Sequence, residues 1–263
     1  NLKILNMDLN SRSQVFDLLE RIKPNAVYNF SGPSSVYRSL NYQEESITTI
    51  KNIFYNLTKS LIELENFCNF FQASSSEMFE NVSNNAIDEN TKMIPNSPYA
   101  KGKYENHKTV LKLSKEYNWN IVSGVMFNHE SEFREDDYLI KKIINSADKI
   151  RKKQSSKFQL GSVDYIRDWS FAGDVINAAF TLIENNAKGS YVIGSGKGSK
   201  ILDIVEIVFK NFNLNWEDCL EINEDLLRKG DAKVKVSNPA KIKQDIGWET
   251  SMDFDELIIR CIG

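Results

Sequence analysis

Tyr99 and Lys103 stand four residues apart, so a helix through them sets a phenol and an ammonium on one face. An ammonium beside a phenol favours the phenolate by direct charge attraction. Upstream, the apolar run Phe70-Phe71-Gln72-Ala73 reads as a buried strand that breaks into Ser74-Ser75-Ser76-Glu77. That break leaves a hydroxyl, Ser75, and a carboxylate, Glu77, at a strand end. Phenol, ammonium, hydroxyl and carboxylate together make a general acid–base set. Tyr-x-x-x-Lys alone is weak, because most such pairs are a half-buried Tyr beside a surface Lys. The weight rests on the whole order: strand, Ser-Ser-Ser-Glu, polar loop, then Ser97-Pro98-Tyr99-Ala100 and Lys103.

The elements that must hold these residues can be read around them. Leu2-Lys3-Ile4-Leu5 is expected as a short strand ending in Asp8-Leu9. Asn10 or Ser11 caps a helix with Val15, Leu18, Leu19 and Ile22 inward, and Pro24 stops it. Ala26 to Phe30 is the next strand. Strand, helix, strand with short connections means a parallel sheet, and ligands bind beyond the carboxyl ends of its strands. A long helix is expected over 43–65, the catalytic helix over 97–117 and a strand over 120–127. A basic helix follows over 138–153, with further helices over 171–183 and 201–209 and a strand over 191–194. The late, glycine-rich Gly194-Ser195-Gly196-Lys197-Gly198 reads as a loop, not a pyrophosphate cradle. A dinucleotide-binding domain opens with strand, Gly-rich turn and helix. None stands near the front, so the expectation is an α/β chain lacking its N-terminal βαβ unit, with a disabled cofactor site as the alternative.

The chain has 263 residues, 41% of them apolar and 26% charged, with a net charge of −3. That suits one large domain or two modest ones. With no basic stripe there is no call for nucleic acid, and no apolar run is long enough for a membrane helix. Cys68, Cys219 and Cys261 are far apart and read as reduced thiols of a cytoplasmic protein. His107 and His129 make no metal spacing with them, so no metal site is expected.

From Gln72-Ala73-Ser74-Ser75-Ser76-Glu77-Met78-Phe79 and Ser97-Pro98-Tyr99-Ala100, the chain resembles the extended short-chain dehydrogenase/reductases. Within them it looks most like the GDP-mannose 4,6-dehydratase family, in which a Glu at this place goes with dehydration. Phe127-Asn128-His129-Glu130-Ser131, the run Leu160-Gly161, Asp164, Arg167-Asp168-Trp169, and the closing Asn238-Pro239-Ala240-Lys241 and Ile246-Gly247-Trp248 carry the same likeness. Departures are Gly32-Pro33 and Ser35 after the second strand, Glu132-Phe133-Arg134-Glu135 where the family has Pro-Arg-Arg-Gly, and Arg228-Lys229-Gly230-Asp231 for Arg-Pro-x-Glu.

The resemblance implies a Rossmann-like parallel sheet with helices on both faces and a smaller C-terminal substrate domain. It divides the chain into 1–128 with about 169–194 for the cofactor, and 129–168 with 195–263 for the sugar nucleotide. It implies NADP, with NAD as the alternative, and GDP-mannose or a related nucleotide sugar as substrate, in a homodimer or homotetramer. Asp8 and Leu9 would touch the adenine; Phe30, Ser31, Gly32 and Ser34 would line the cofactor. His129 would lie by the nicotinamide, which Tyr99 and Lys103 would also contact, and Arg134 by the cofactor phosphates. Asn128, Lys142, Arg167, Arg228 and Asp231 would hold the sugar nucleotide. The implied reaction is oxidation at C4, loss of water across C5–C6, and return of the hydride to C6. Tyr99, Lys103, Ser75 and Glu77 are its expected catalytic residues. The rival expectations are an epimerase, a reductase or a GDP-heptose dehydratase of the same branch, or a non-catalytic sugar-nucleotide-binding fragment.

Overall fold

The apolar run ending at Ala73 forms strand β2 (Asn69–Ser75) in a computed structural model that describes residues 2–34, 43–80, 86–227 and 230–263. Phe70, Phe71 and Ala73 are all buried. A strand that is apolar without alternation needs cover on both faces, which a parallel sheet provides. β2 pairs with β1 (Ala26–Asn29) in parallel, in the register Ala26↔Asn69 to Asn29↔Gln72. With β3 (Ile121–Met126) and β8 (Gly189–Ile193) the sheet order is β1-β2-β3-β8. β1 ends at Asn29 opposite Gln72 while β2 runs on to Ser75, so the residues following both strands lie toward the same carboxyl edge of the sheet.

Helices α1 (Arg12–Ile22), α2 (Gln43–Glu63) and α3 (Pro98–Glu116) pack with this sheet. α1 stops where Lys23 turns left-handed, its N–H capping the Leu19 carbonyl, one residue before Pro24. α3 begins with Pro98 at its first position, where a missing N–H costs nothing, and the Ser97 hydroxyl accepts the Ala100 N–H at 3.1 Å. α2 packs against α1 and α3. Its Ile53, Phe54, Leu57 and Leu61 share one core with Val15, Phe70, Val110 and Trp119. At Gly102 a side-chain carbon would lie 3.2 Å from the Ile50 side chain, so α2 and α3 approach closely.

The chain divides into two compact units. The first is Asn1–Phe79, Lys92–Val125 and Ala179–Tyr191; the second is Glu80–Thr91, Met126–Ala178 and Val192–Gly263. In the second, β4 (Asn128–Glu130) runs parallel to β7 (Trp169–Phe171). β6 (Ile166–Arg167) lies between β11 (Val234–Lys235), parallel, and β9 (Ser199–Lys200), antiparallel. β5 (Phe158–Leu160) pairs with β10 (Leu220–Ile222). Helices α4 (Leu139–Arg151), α6 (Ile201–Asn211) and α8 (Phe254–Ile262) enclose the core of this unit around Phe158, Trp169 and Phe209. α5 (Ala172–Glu184) and α7 (Ala240–Ile246) complete the helices of the described residues.

One expected element does not form. Residues 2–5 make no strand: Leu2 and Ile4 are 92% and 87% exposed, and no described strand takes their backbone hydrogen bonds. An apolar run becomes a strand only when a neighbouring strand satisfies its N–H and C=O groups. The basic helix is also shorter than expected, Leu139–Arg151.

Candidate active site

The Ser-Ser-Ser-Glu break is a capped turn. Ser75 closes β2 in an extended conformation, and its hydroxyl accepts the Glu77 N–H at 3.2 Å, starting a 3-10 turn over Ser76–Met78. Met78 and Phe79 are fully buried, and the Met78 carbonyl accepts the Ile94 N–H at 2.9 Å. The turn packs on α3. Glu77 therefore sits half-buried on an anchored platform.

On α3, Tyr99 and Lys103 are both buried. The Lys103 ammonium donates to the Ala73 carbonyl at 2.8 Å and lies 5.7 Å from the centre of the Tyr99 ring. Burial lowers its pKa from 10.5 to about 8. Ser75, Glu77, Tyr99 and Lys103 are thus gathered at one sheet edge by three links: a cap, a packed turn and an ammonium–carbonyl bond.

The residues after β1 meet the same edge. Asn29 is buried, donates to Gln72 Oε1 at 2.7 Å and accepts from the N–H and hydroxyl of Ser31. Gly32 takes a positive φ of 107°, which only glycine adopts easily, and faces Ile50. Ile50 also lies under Gly102, and its carbonyl accepts from Asn106 Nδ2 at 3.0 Å. Gly32 and Gly102, on the helix that carries Tyr99, therefore share Ile50 as a neighbour. Phe30 is half-exposed, 5.5 Å from the Phe71 ring, and Ser34 follows Gly32, while Ser35 lies outside the described residues. The Asp8 carboxylate accepts the Asn10 N–H at 2.9 Å, and the Leu9 carbonyl accepts from Asn56 of α2 at 2.9 Å.

A row of buried side chains escaped the sequence reading. His107 Nδ1 lies 2.8 Å from the Ser123 hydroxyl on β3, which donates to Ser74 at 2.8 Å. Burial pushes the His107 pKa down to about 4. The available signal was the Lys103–His107 spacing of four, which puts both on one face of α3.

In the second unit, Asn128 and His129 lie on β4. His129 Nδ1 donates to the Phe127 carbonyl at 2.8 Å, and burial lowers its pKa. Arg134 donates to Glu130 at 2.7 Å and to the His129 carbonyl at 2.9 Å, and its guanidinium stacks 3.9 Å from the Tyr138 ring centre. Burial raises the Glu130 carboxyl pKa against the lowering effect of Arg134. Arg167 donates to the carbonyls of Ile166 and Lys233 and pairs with Asp231 at 2.8 Å, so these two expected substrate residues are brought together. Lys142 lies on α4; Arg228 lies outside the described residues.

Asp168 has the fullest set of partners there. Its buried carboxylate accepts from the N–H and hydroxyl of Ser195, the N–H of Gly196, and the N–H and hydroxyl of Ser237, at 2.5 to 3.0 Å. The glycine-rich run is therefore a cradle for an internal anion. A side-chain carbon at Gly194 would meet Ser237 Oγ at 2.5 Å and Asp168 Oδ2 at 2.9 Å, so this close wrap needs glycine.

The fold defines an α/β protein of Rossmann type. Superposed on solved structures, the chain matches RMD from Pseudomonas aeruginosa complexed with NADPH with a TM-score of 0.90, at 18% identity over 99% of this chain and 88% of that one. It matches DesIV, a dTDP-glucose 4,6-dehydratase from Streptomyces venezuelae with NAD and TYD bound, at 0.87, with 17% identity over 99% and 78%. Residues 1–261 match the family model of GDP-mannose 4,6 dehydratase, and the chain belongs to that family. It is 29% identical to the GDP-mannose 4,6 dehydratase of Homo sapiens over 98% of this chain and 74% of that one. It is 27% identical to GDP-mannose 4,6 dehydratase 2 of Arabidopsis thaliana over 98% and 70%.

Proposed function

We propose that the chain is a nucleotide-sugar hydro-lyase that converts GDP-mannose to GDP-4-keto-6-deoxymannose. The observation that carries this is Glu77 on a capped turn packed against the helix of Tyr99 and Lys103. An epimerase or reductase has no use for a second base there; water loss across C5–C6 needs one.

In this reading Tyr99, as phenolate, takes the proton from O4, with Lys103 supporting its charge and Ser75 hydrogen-bonding O4. Glu77 takes the C5 proton, made acidic by the 4-ketone, and delivers it to the departing C6 hydroxyl, which leaves as water. Tyr99 then returns its proton to C5. The chemistry a bound nicotinamide would supply beside Tyr99 and Lys103 is reversible hydride storage between C4 and C6.

The donor set fits such a group. A buried ammonium and phenol face the edge where Asn29, Ser31 and Gly32 end β1, and this would take the nicotinamide and its ribose. We assign NADP, with NAD the alternative, in line with the NADPH and NAD of the structural neighbours. Phe30, Ser34, Asp8, Leu9, His129 and Arg134 complete the cofactor set on this reading. On this reading Asn128, Lys142, Arg167 and Asp231 would hold the sugar nucleotide, together with Arg228, which lies outside the described residues. Arg167 is buried and paired with Asp231, with Nη1 donating to the Ile166 and Lys233 carbonyls, so on this reading its remaining N–H groups would meet a diphosphate. A homodimer or homotetramer in the cytoplasm completes the assignment; free, buried Cys68, Cys219 and Cys261 suit that compartment.

Glu77→Gln tests the central role. The variant should bind GDP-mannose with an unchanged Kd by calorimetry and lose roughly 100- to 10,000-fold in formation of the 4-keto-6-deoxy product. Normal product formation by Glu77→Gln would remove Glu77 from the mechanism.

A further inference from the structure

His107, Ser123 and Ser74 form a hydrogen-bonded row beside the acid–base set. His107 follows Lys103 by one turn of α3, Ser123 is on β3, and Ser74 is the penultimate residue of β2, before Ser75. All three are buried. A hydroxyl has a single hydrogen. Ser123 gives its hydrogen to Ser74 at 2.8 Å, so at 2.8 Å from His107 its oxygen must accept, and the imidazole carries its proton on Nδ1. With its pKa pushed down to about 4 by burial, the ring stays neutral near pH 7.

The row ends beside Ala73, whose carbonyl receives the Lys103 ammonium. The tip of β2 is therefore tied to α3 twice, once through Lys103 and once through His107 and Ser123. Lysine has a flexible four-carbon stem, so its ammonium is placed only as well as its acceptor is. That acceptor is the backbone of the residue before Ser74.

We propose that His107, Ser123 and Ser74 are positioning residues that hold the tip of β2 against α3 and so place the Ala73 carbonyl under the Lys103 ammonium. The effect on turnover rests on the dehydratase reading; the placement of Lys103 does not.

Two measurements on the full chain separate these claims. The first is the 1H–15N signal of the Lys103 ammonium, assigned by its loss in Lys103→Met, together with the ring-nitrogen spectrum of His107. Wild type should show the Nδ1-protonated tautomer. Ser123→Ala, which removes one oxygen, should change that tautomer and shift or broaden the Lys103 signal. His107→Phe should do the same to Lys103. His107→Asn, which restores an N–H donor near the Nδ1 position, should bring the signal back towards wild type. The His107 pair decides the matter should Ser123→Ala fail to fold. The second measurement is turnover of GDP-mannose: kcat should fall roughly 10- to 100-fold in Ser123→Ala, as small displacements of catalytic groups do. KM should stay within about twofold, since substrate contacts are untouched. A Lys103 signal unmoved in folded Ser123→Ala or His107→Phe overturns the proposal, whatever the rate does. A responsive Lys103 in a chain that does not turn over GDP-mannose upholds the positioning and removes the dehydratase reading instead.

Discussion

Lys103 is an ammonium in a place that disfavours ammonium. The lowering of its pKa from 10.5 to about 8 by burial corresponds to a cost of roughly 3 kcal/mol to the folded state below about pH 8, where both states are charged. The sign follows from proton counting. Between about pH 8 and 10.5 the unfolded chain holds the proton and the folded one does not, so folding stability rises with pH across that window. Urea midpoints should therefore climb from pH 8 to 10 in wild type, and this increment should be missing in Lys103→Met. Activity runs the other way: turnover should fall as pH rises through about 8, because the phenolate of Tyr99 loses its neighbouring charge. Tyr99→Phe should lose roughly 100- to 10,000-fold in rate while keeping its fold by circular dichroism. The spacing of Tyr99 and Lys103 was legible in the chain because helix periodicity converts it directly to a shared face. The burial of Lys103 and its carbonyl partner was not, since Ala73 is 30 residues away and the bond exists only once β2 and α3 meet.

Elements carry the next level. The strand-to-turn break at Ser75 was visible as an apolar run meeting three serines, but its character as a capped 3-10 turn depends on one hydroxyl–amide bond that spacing does not reveal. The glycine-rich run at 194–198 was readable as a loop; its reason was hidden in Asp168, 27 residues earlier, and Ser237, later still. Asp168→Ala should leave the Ser195, Gly196 and Ser237 N–H groups without their carboxylate and destabilise the chain by roughly 3 kcal/mol or more in urea unfolding. Gly194→Ala should destabilise it through direct overlap with Ser237 Oγ. His107 adds a pH effect of its own. Its pKa is lowered from 6.5 to about 4, so protons bind the unfolded chain preferentially between those values. Stability should fall as pH drops from 6.5 towards 4, less steeply in His107→Phe.

At the scale of the whole chain, the parallel sheet was expected from strand, helix, strand with short connections, and it forms although the first of those strands does not; β2, buried on both faces, is paired in parallel with β1. Residues 2–5 misled for the complementary reason: hydrophobicity marks what can be a strand, while pairing decides what is one. The second unit was less legible, because its strands are two or three residues long and are assembled by pairings such as Asn128↔Trp169 that join distant segments. Its motif residues nonetheless fall where strands end: Asn128 and His129 on β4, Arg167 at the close of β6. Membership of the GDP-mannose 4,6 dehydratase family rests on the match over residues 1–261. The chemistry assigned to the chain rests on Glu77 and Tyr99 acting on one hexose. Incubation with GDP-mannose deuterated at C4, with NADP supplied, reads this most directly. The account predicts a product lighter by one water, carrying the deuterium at C6, with no lasting reduction of the cofactor. A product that keeps its C6 hydroxyl, or has deuterium at C4 alone, would contradict it.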